Sequence, residues 1–333
     1  MTPSVEDPKY FAYITTSDRK YNVTNALVSL DLSEQEKQIA ASATLNIADV
    51  EVEGKMLSTL IKPSHRVTIT AYDGKTNDEV FSGYVWDISP KESLTDNNFS
   101  LKCYDQLIYW QESEDSDFFA EGKSTKDIMK TLSKNWGISM IYEYESITHE
   151  KLVLRGAISD FVTADVLDPV QKRTGVKYVI RIEKENVVVR PVGWNETVYK
   201  IIGGFNAIEI RRYITMNGVT TQVVLLGKSS DDQKTPVEAT VSGNTAEYGT
   251  LQKIISRDED MTIEDAKDEA NTIIKDGVPK WEYDVKAVDI PWIRKGDKVM
   301  VDTKTLKGFF IVKSIDREIS NRGKTMTLTV VAA

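Results

Sequence analysis

Arg66-Val67-Thr68-Ile69-Thr70-Ala71-Tyr72 is the stretch on which the reading of the fold turns. Polar and apolar residues alternate along it, the period of a strand with one face buried. Asp73-Gly74 follows, a turn signal ahead of the next strand. Working outward, residues 10–15, 43–47, 80–88 and 98–104 have the same character. Phe99-Ser100-Leu101-Lys102-Cys103 alternates again and turns Cys103 inward, which predicts a buried, inert thiol. Short strands punctuated by polar turns predict a small barrel or sandwich.

The pattern changes after the acidic run 112–117. Ile128, Leu132 and Trp136 recur at helical spacing, with Ser124 as N-cap, Asp127 three residues on, and Gly137 as the stop. A strand over 138–142 follows. The helix–strand unit recurs 38 residues later: Thr125, Asp127, Lys134 and Gly137 match Thr163, Asp165, Lys172 and Gly175. Pro169 interrupts the second copy, which predicts a late helix start with Asp168 as cap and Pro169 in the first turn. That unit ends in a strand over 176–182, paired through a short turn with 186–190.

Strands return over 208–216 and 222–226, and Asn217-Gly218 between them is a hairpin signal. Residues 227–249 are polar and turn-rich and read as a long mobile loop. Residues 262–276 read as a helix capped by Thr262, stopped by Gly277, and buried along Ala266, Ala270, Ile273 and Ile274. Three strands close the chain, over 298–302, 309–315 and 325–330. They echo the start: Arg66-Val67-Thr68-Ile69, then Val85-Trp86-Asp87-Ile88, then 99–103, against Lys298-Val299-Met300-Val301, then Val312-Lys313-Ser314-Ile315, then 326–330. The expected fold class is α+β, mainly β, with two related small β-barrel domains (1–112 and 201–333) around a helix–strand insert (113–200).

At 333 residues the chain is long enough for two or three domains, and 41% hydrophobic with 28% charged residues is ordinary for a globular protein. The net charge of -9 is spread along the chain and argues against sequence-specific nucleic-acid binding, which needs basic patches. One cysteine excludes an internal disulfide. The start (MTPSVEDPKY) is no secretory signal, and no run is long and apolar enough to span a membrane. The chain is expected to stay in a cytoplasm or to leave it by a route other than a cleaved signal.

No catalytic, cofactor-binding or metal-binding residue is assigned. His65 and His149 both read as solvated turn residues without ligand spacing, and no nucleophile elbow, phosphate loop or zinc-binding motif occurs. The acids of 112–117 and 258–260 read as solvated loop and helix-start residues. Of the tryptophans, Trp86 and Trp136 read as core, while Trp110, Trp194 and Trp292 read as rim or interface.

Three segments together resemble the baseplate hub proteins of contractile phage tails, notably those of PBSX-type defective prophages and of R-type bacteriocins of Gram-positive bacteria. They are 80–88 with Leu101-Lys102-Cys103-Tyr104-Asp105-Gln106-Leu107, the helix–glycine–strand units ending at Gly137 and Gly175, and Lys295-Gly296-Asp297-Lys298-Val299 with 310–315. The resemblance implies a non-enzymatic homotrimer whose six barrels adapt a sixfold tail tube to a threefold central spike. Its implied partners are the tube, the spike, baseplate wedge proteins and a separate cell-wall hydrolase, and its final location is the phage tail or a tail-like particle. The alternative is a carbohydrate-binding or adhesion module.

Overall fold

A computed structural model describes residues 7–92, 97–227, 235–256 and 262–333. The chain is mainly β, with 50% strand against 18% helix, the class that its alternating segments predict. It divides into two compact units: Met1–Arg211 with Tyr283–Ala333, and Arg212–Glu282.

The first unit is organised by one large sheet. Leu27–Glu34, Ser42–Ala48, Asn97–Tyr104, Asn77–Glu92 and Arg66–Tyr72 lie side by side in that order. Ala207–Thr215, Lys280–Val288, Gly323–Ala332, Lys307–Ser320 and Lys298–Asp302 repeat the order, each set in the same chain sequence. A sixth strand adds to each half, but Lys9–Thr15 joins antiparallel to Arg66–Tyr72 and is itself followed by Lys20–Asn22, whereas Lys200–Ile202 joins parallel to Lys298–Asp302.

The likeness extends to single hydrogen bonds. A bulge falls between Val85 and Asp87 in one half and between Val312 and Ser314 in the other, leaving Trp86 and Lys313 as the extra residues. Before each meander the chain turns through a left-handed residue, Ser64 at φ 68 and Gly296 at φ 87. Ser64 N donates to Val85 O at 2.8 Å and Val85 N to His65 O at 2.9 Å. Gly296 N donates to Val312 O at 2.8 Å and Val312 N to Asp297 O at 2.9 Å. Strand patterns converge easily, but a shared bulge with the same flanking bonds is a much narrower coincidence. The two halves are copies of one unit.

The halves meet where residues 315–320 pair antiparallel with 29–34. Lys307–Ser320 therefore serves two cores. Phe310, Val312 and Ile315 pack with Val285, Val299, Met326 and Leu328, while Ile319 packs with Leu30, Leu45, Phe99 and Leu101. Cys103 lies in the second of these cores as expected, and burial pushes its thiol up to about 12.

The insert has its own core, shared with Leu107, Ile108 and Trp110. Its first helix is Thr125–Asn135, with Ser124 Oγ accepting from Asp127 N. The second departs from expectation. Helical backbone runs without a break from Ile158 through Thr174, with a π-helical stretch at Phe161–Leu167 just before Pro169. The wider π turn carries the preceding carbonyls away from the proline ring, so no late start is needed and Asp168 is helical rather than a cap. Gly175 ends it at φ 73. Asn186–Pro191 then lies between Tyr178–Glu183, antiparallel, and Ser139–Tyr142, parallel. The acidic run also differs: Glu114–Phe119 is a strand, paired with Leu152–Ala157, in which Asp115 and Asp117 are half-buried and accept from Trp136 Nε1 and Asn135 Nδ2, while Glu114, Ser116 and Phe118 are exposed.

In the second unit Gln222–Leu226 pairs with Val237–Ser242 on one side and Gln252–Ser256 on the other. Helix Ile263–Asp276 covers this sheet through Ala266 and Ala270. Thr262 and Asp265 form the full reciprocal capping box. Two expectations fail here. Asn217-Gly218 does turn the chain, but it delivers Gln222–Leu226 to a sheet other than that of Ala207–Thr215. The span read as a mobile loop contains a strand, Val237–Ser242, and a helical turn, Thr245–Tyr248, because tertiary pairing with Gln222–Leu226 outweighs polar composition; residues 228–234 of it lie outside the described residues.

Leu30 is fully buried on the strand that joins the two halves. Leu30→Ala should cost about 2–5 kcal/mol in urea denaturation, the range for a leucine cavity that cannot collapse. A change under about 1 kcal/mol would mean that this ladder is peripheral to the fold.

Candidate functional site

Residues 290–297, Ile-Pro-Trp-Ile-Arg-Lys-Gly-Asp, connect Lys280–Val288 to Lys298–Asp302 and bond to both the first half and the insert. Trp292 Nε1 donates to Asp73 Oδ2 at 2.7 Å, and Arg294 Nε donates to Glu34 Oε1. Lys295 Nζ donates to the carbonyls of Gln35 and Gln38 at 3.2 and 2.6 Å. On the insert side, Arg181 donates to Asp297 Oδ1 at 2.8 Å, to the Lys295 carbonyl at 2.7 Å and to Glu183 Oε1 at 2.7 Å. Gly296 is required between them: a Cβ there would meet Val179 at 2.7 Å, and its φ of 87 is left-handed.

A second buried group lies alongside. Asp289 accepts from Arg317 Nε at 3.1 Å and from the Tyr10 hydroxyl. Arg317 donates onward to the carbonyls of Ile290, Pro291 and Ile293, so the guanidinium shapes the start of the linker.

Burial opposes ionisation throughout this junction, and the outcome differs by partner. At Glu34 the burial is outweighed by Arg294, with Arg181 and Arg317 adding to it, and the carboxyl is held below its ordinary range. Glu183 is likewise depressed, by Arg181 and Arg190 against burial. Asp105 is pushed up to about 7 by burial, despite the backbone bonds it accepts from Ala41 and Leu107. Lys295 is depressed by burial. Ion pairs this deep add little net stability, because desolvation offsets attraction, but they penalise any arrangement that separates the partners.

Two clefts flank the hairpin turn Lys184-Glu185 of the insert. One, of ≈ 210 Å³, is lined by Glu79, Asp105, Arg181, Trp292 and Arg294. The other, of ≈ 240 Å³, is lined by Arg66, Tyr84, Gln106, Ser139, Glu185 and Asn186. Both turn residues are left-handed, at φ 47 and 67, and they place Lys184 against Asp78 at 2.8 Å and Glu185 against Arg66. In the first cleft the arginines are already bonded to carboxylates, so its charges hold the insert in position rather than await a ligand.

The histidines separate on inspection. His65 sits in a turn, with Nδ1 accepting from Lys62 N at 3.1 Å. His149 corrects its expectation: it is buried, with Nε2 2.8 Å from Thr125 Oγ1, and burial lowers its pKa. Trp110 is core rather than rim, at 0% exposure, whereas Trp86 is 37% exposed because the bulge lifts it out of the alternation. Trp194 keeps a partly exposed place with Arg190 stacked at 3.9 Å, and Trp292 is half-buried in the junction. Trp136 packs against the insert core as expected. Among the described residues no group of three His, Cys, Asp or Glu side chains is placed to hold a metal; 258–260 lie outside them. Sequence reading overlooked the junction, although three charged residues and a glycine between two strands (Arg294-Lys295-Gly296-Asp297) signal a linker that must bury charge.

Arg181→Met should destabilise the chain by about 3–5 kcal/mol, because it leaves the Asp297 carboxylate buried and unpaired. The double variant Arg181→Met, Asp297→Leu should recover much of that loss in the same denaturation assay; no recovery would mean that the two do not act as a pair. Asp105 binds its proton more tightly folded than unfolded, so its contribution to stability should fall as pH rises from about 4 to about 7. Asp105→Asn should flatten that fall in denaturation curves taken across the range; a slope unchanged by the substitution would remove Asp105 as its source.

The fold has clear relatives among solved structures. The 43 kDa tail protein of prophage MuSo2 from Shewanella oneidensis superposes with a TM-score of 0.68 at 14% identity, over 97% of this chain and 98% of that one. The tail protein from Neisseria meningitidis MC58 superposes with a TM-score of 0.68 at 12% identity, over 96% of each. The E. coli c3393 protein, a type VI secretion component described as similar to the T4 tail proteins gp27 and gp5, gives 0.56 at 7% identity, over 92% of this chain and 73% of that one. No curated protein sequence matches. The sequence itself matches the YQBQ-like family model over residues 30–331, and the chain therefore belongs to the YQBQ-like family.

Proposed function

We propose that this protein is a structural component of a phage-type tail and, more narrowly, its baseplate hub: a homotrimeric ring that adapts a sixfold tail tube to a threefold spike. The observation that carries the reading is the duplicated five-strand unit. Three chains with two equivalent units each present six similar surfaces around a threefold axis, which is what such an adaptor needs. The tail-protein fold of the relatives supports the tail assignment.

Residues 1–112 and 201–333 then form the two ring domains, each curling toward a barrel in the assembly, with 113–200 as the insert between them. Tube, central spike and baseplate wedge proteins are the partners, and wall cutting falls to a separate hydrolase. The chain serves without enzymatic activity of its own, assembled in the bacterial cytoplasm and carried in a contractile particle such as a defective prophage tail or a tailocin.

Light scattering and negative-stain averaging of the purified chain, alone and with tube and spike proteins, test the hub. A three-copy ring with a sixfold-looking rim is expected. A monomer that ignores both partners overturns the hub and directs attention to sugar-binding screens.

A further inference from the structure

Of the two clefts beside the hairpin turn, the second holds polar groups that the fold does not use. Its charged lining is already paired: Arg66 with Glu185 and with Ser82 Oγ at 2.9 Å, and Lys184 with Asp78 at 2.8 Å. What remains is neutral. The Tyr84 hydroxyl, the Gln106 amide and the Ser139 hydroxyl line the cleft without a hydrogen-bond partner among the described residues. Asn186 donates its amide N–H to the carbonyls of Glu183 and Lys184 at 3.4 and 2.8 Å, which leaves its side-chain oxygen unused. Tyr84 also begins a run of aromatic contacts that continues beyond the cleft. Its ring meets Tyr109 at 5.8 Å and 66°, Tyr109 meets Trp86 at 6.1 Å and 63°, and Trp86 meets Tyr104 at 6.0 Å and 86°. Neither tyrosine is stacked on the indole, which the bulge turns outward and leaves 37% exposed.

We infer that this cleft binds an uncharged saccharide, with one sugar ring seated among Tyr84, Gln106, Ser139 and Asn186 and the next stacked on Trp86. Sugar hydroxyls both donate and accept, as do tyrosine and serine hydroxyls, and a side-chain amide offers one of each, so these groups match a polyhydroxylated ligand. A charged ligand would find no unpaired counter-charge here. An apolar side chain of a peptide would find little apolar wall, since Arg66, Ser82, Gln106, Ser139, Glu185 and Asn186 make up most of the lining.

Size sets how much of a glycan enters. At ≈ 240 Å³ the cleft falls below the about 300–1,000 Å³ of a site that encloses a drug-sized ligand, so it admits a single ring. A longer chain must leave over the aromatic surface, where the C–H face of the next ring meets the indole. The ion pairs of Lys184 and Glu185 hold one wall in place before any ligand arrives, which lowers the ordering cost of binding. Every residue of the site belongs to one chain, so the inference stands or falls separately from the ring.

Saturation-transfer NMR on the full-length chain tests the site with neutral oligomers of glucose, galactose, mannose, N-acetylglucosamine and N-acetylgalactosamine, with a hyaluronan tetrasaccharide and a proline-rich peptide alongside. At least one neutral oligomer should bind in the millimolar range, more tightly than its monomer, and the anionic one should not. Gln106→Ala should weaken that binding about threefold to tenfold, the worth of one neutral hydrogen bond. Because the Gln106 side chain has no partner in the fold, its loss should leave the unfolding midpoint in place. Trp86→Ala should bring the oligomer down to the affinity of the monomer, and Trp86→Phe should restore the difference. No binding by any neutral oligomer at about 10 mM, or binding that Gln106→Ala and Trp86→Ala both leave intact, overturns the inference. Preference for the peptide with the same two dependences also overturns it and makes the cleft a peptide site.

Discussion

The ladder between residues 29–34 and 315–320 is the constraint on which the first unit depends. It brings strands almost three hundred residues apart in sequence into one sheet, and everything between them must be accommodated within that closure. Such a contact forms only after a large loop entropy has been overcome, so it stands on the burial behind it. Leu30, Leu32, Ile315 and Ile319 supply that burial on two cores at once. A single strand that serves two cores couples them mechanically: neither half can shift without disturbing the register of the other.

The same closure explains the charged linker. Once the two halves share a sheet, residues 290–297 run between them and the insert, with Ile293, Lys295, Gly296 and Asp297 buried and Trp292 and Arg294 at the wall of a cleft. Arg181, Arg294, Lys295, Asp297 and Glu34 answer one another there. Apolar residues could fill the space with equal stability, but they would tolerate sliding. Ionic partners in a buried site permit one arrangement and penalise its neighbours. A part that must present several surfaces in fixed relation gains from that intolerance, which is how the junction bears on the proposed role.

Much of the fold is legible locally. Arg66–Tyr72 alternates cleanly and is a strand with the expected bounds, and the capped helix at Ile263–Asp276 begins and ends where its Thr and Gly place it. The echo of the two strand triplets is also visible in the residues. What escapes is whatever depends on a distant partner. Leu27–Glu34 alternates too, but without flanking turn signals it does not stand out, although it is the joint of the sheet. Trp86 reads as core because the period is counted straight through the bulge, and a bulge is an event between two strands. Trp110 reads as rim because it ends a segment, while the insert that buries it comes later in the chain.

By itself, then, the sequence determined many of the local elements, the echo of the two strand triplets and the scarcity of histidine and cysteine, since alternation, caps and composition act over a few residues. Only the tertiary structure decided that the two halves form one sheet and that the charges of 290–297 meet those of Glu34 and Arg181. The physical reason is that strand order and charge pairing depend on which distant segments share a hydrogen-bonding edge or a buried space. No short-range pattern encodes that choice; the collective burial of both cores makes it.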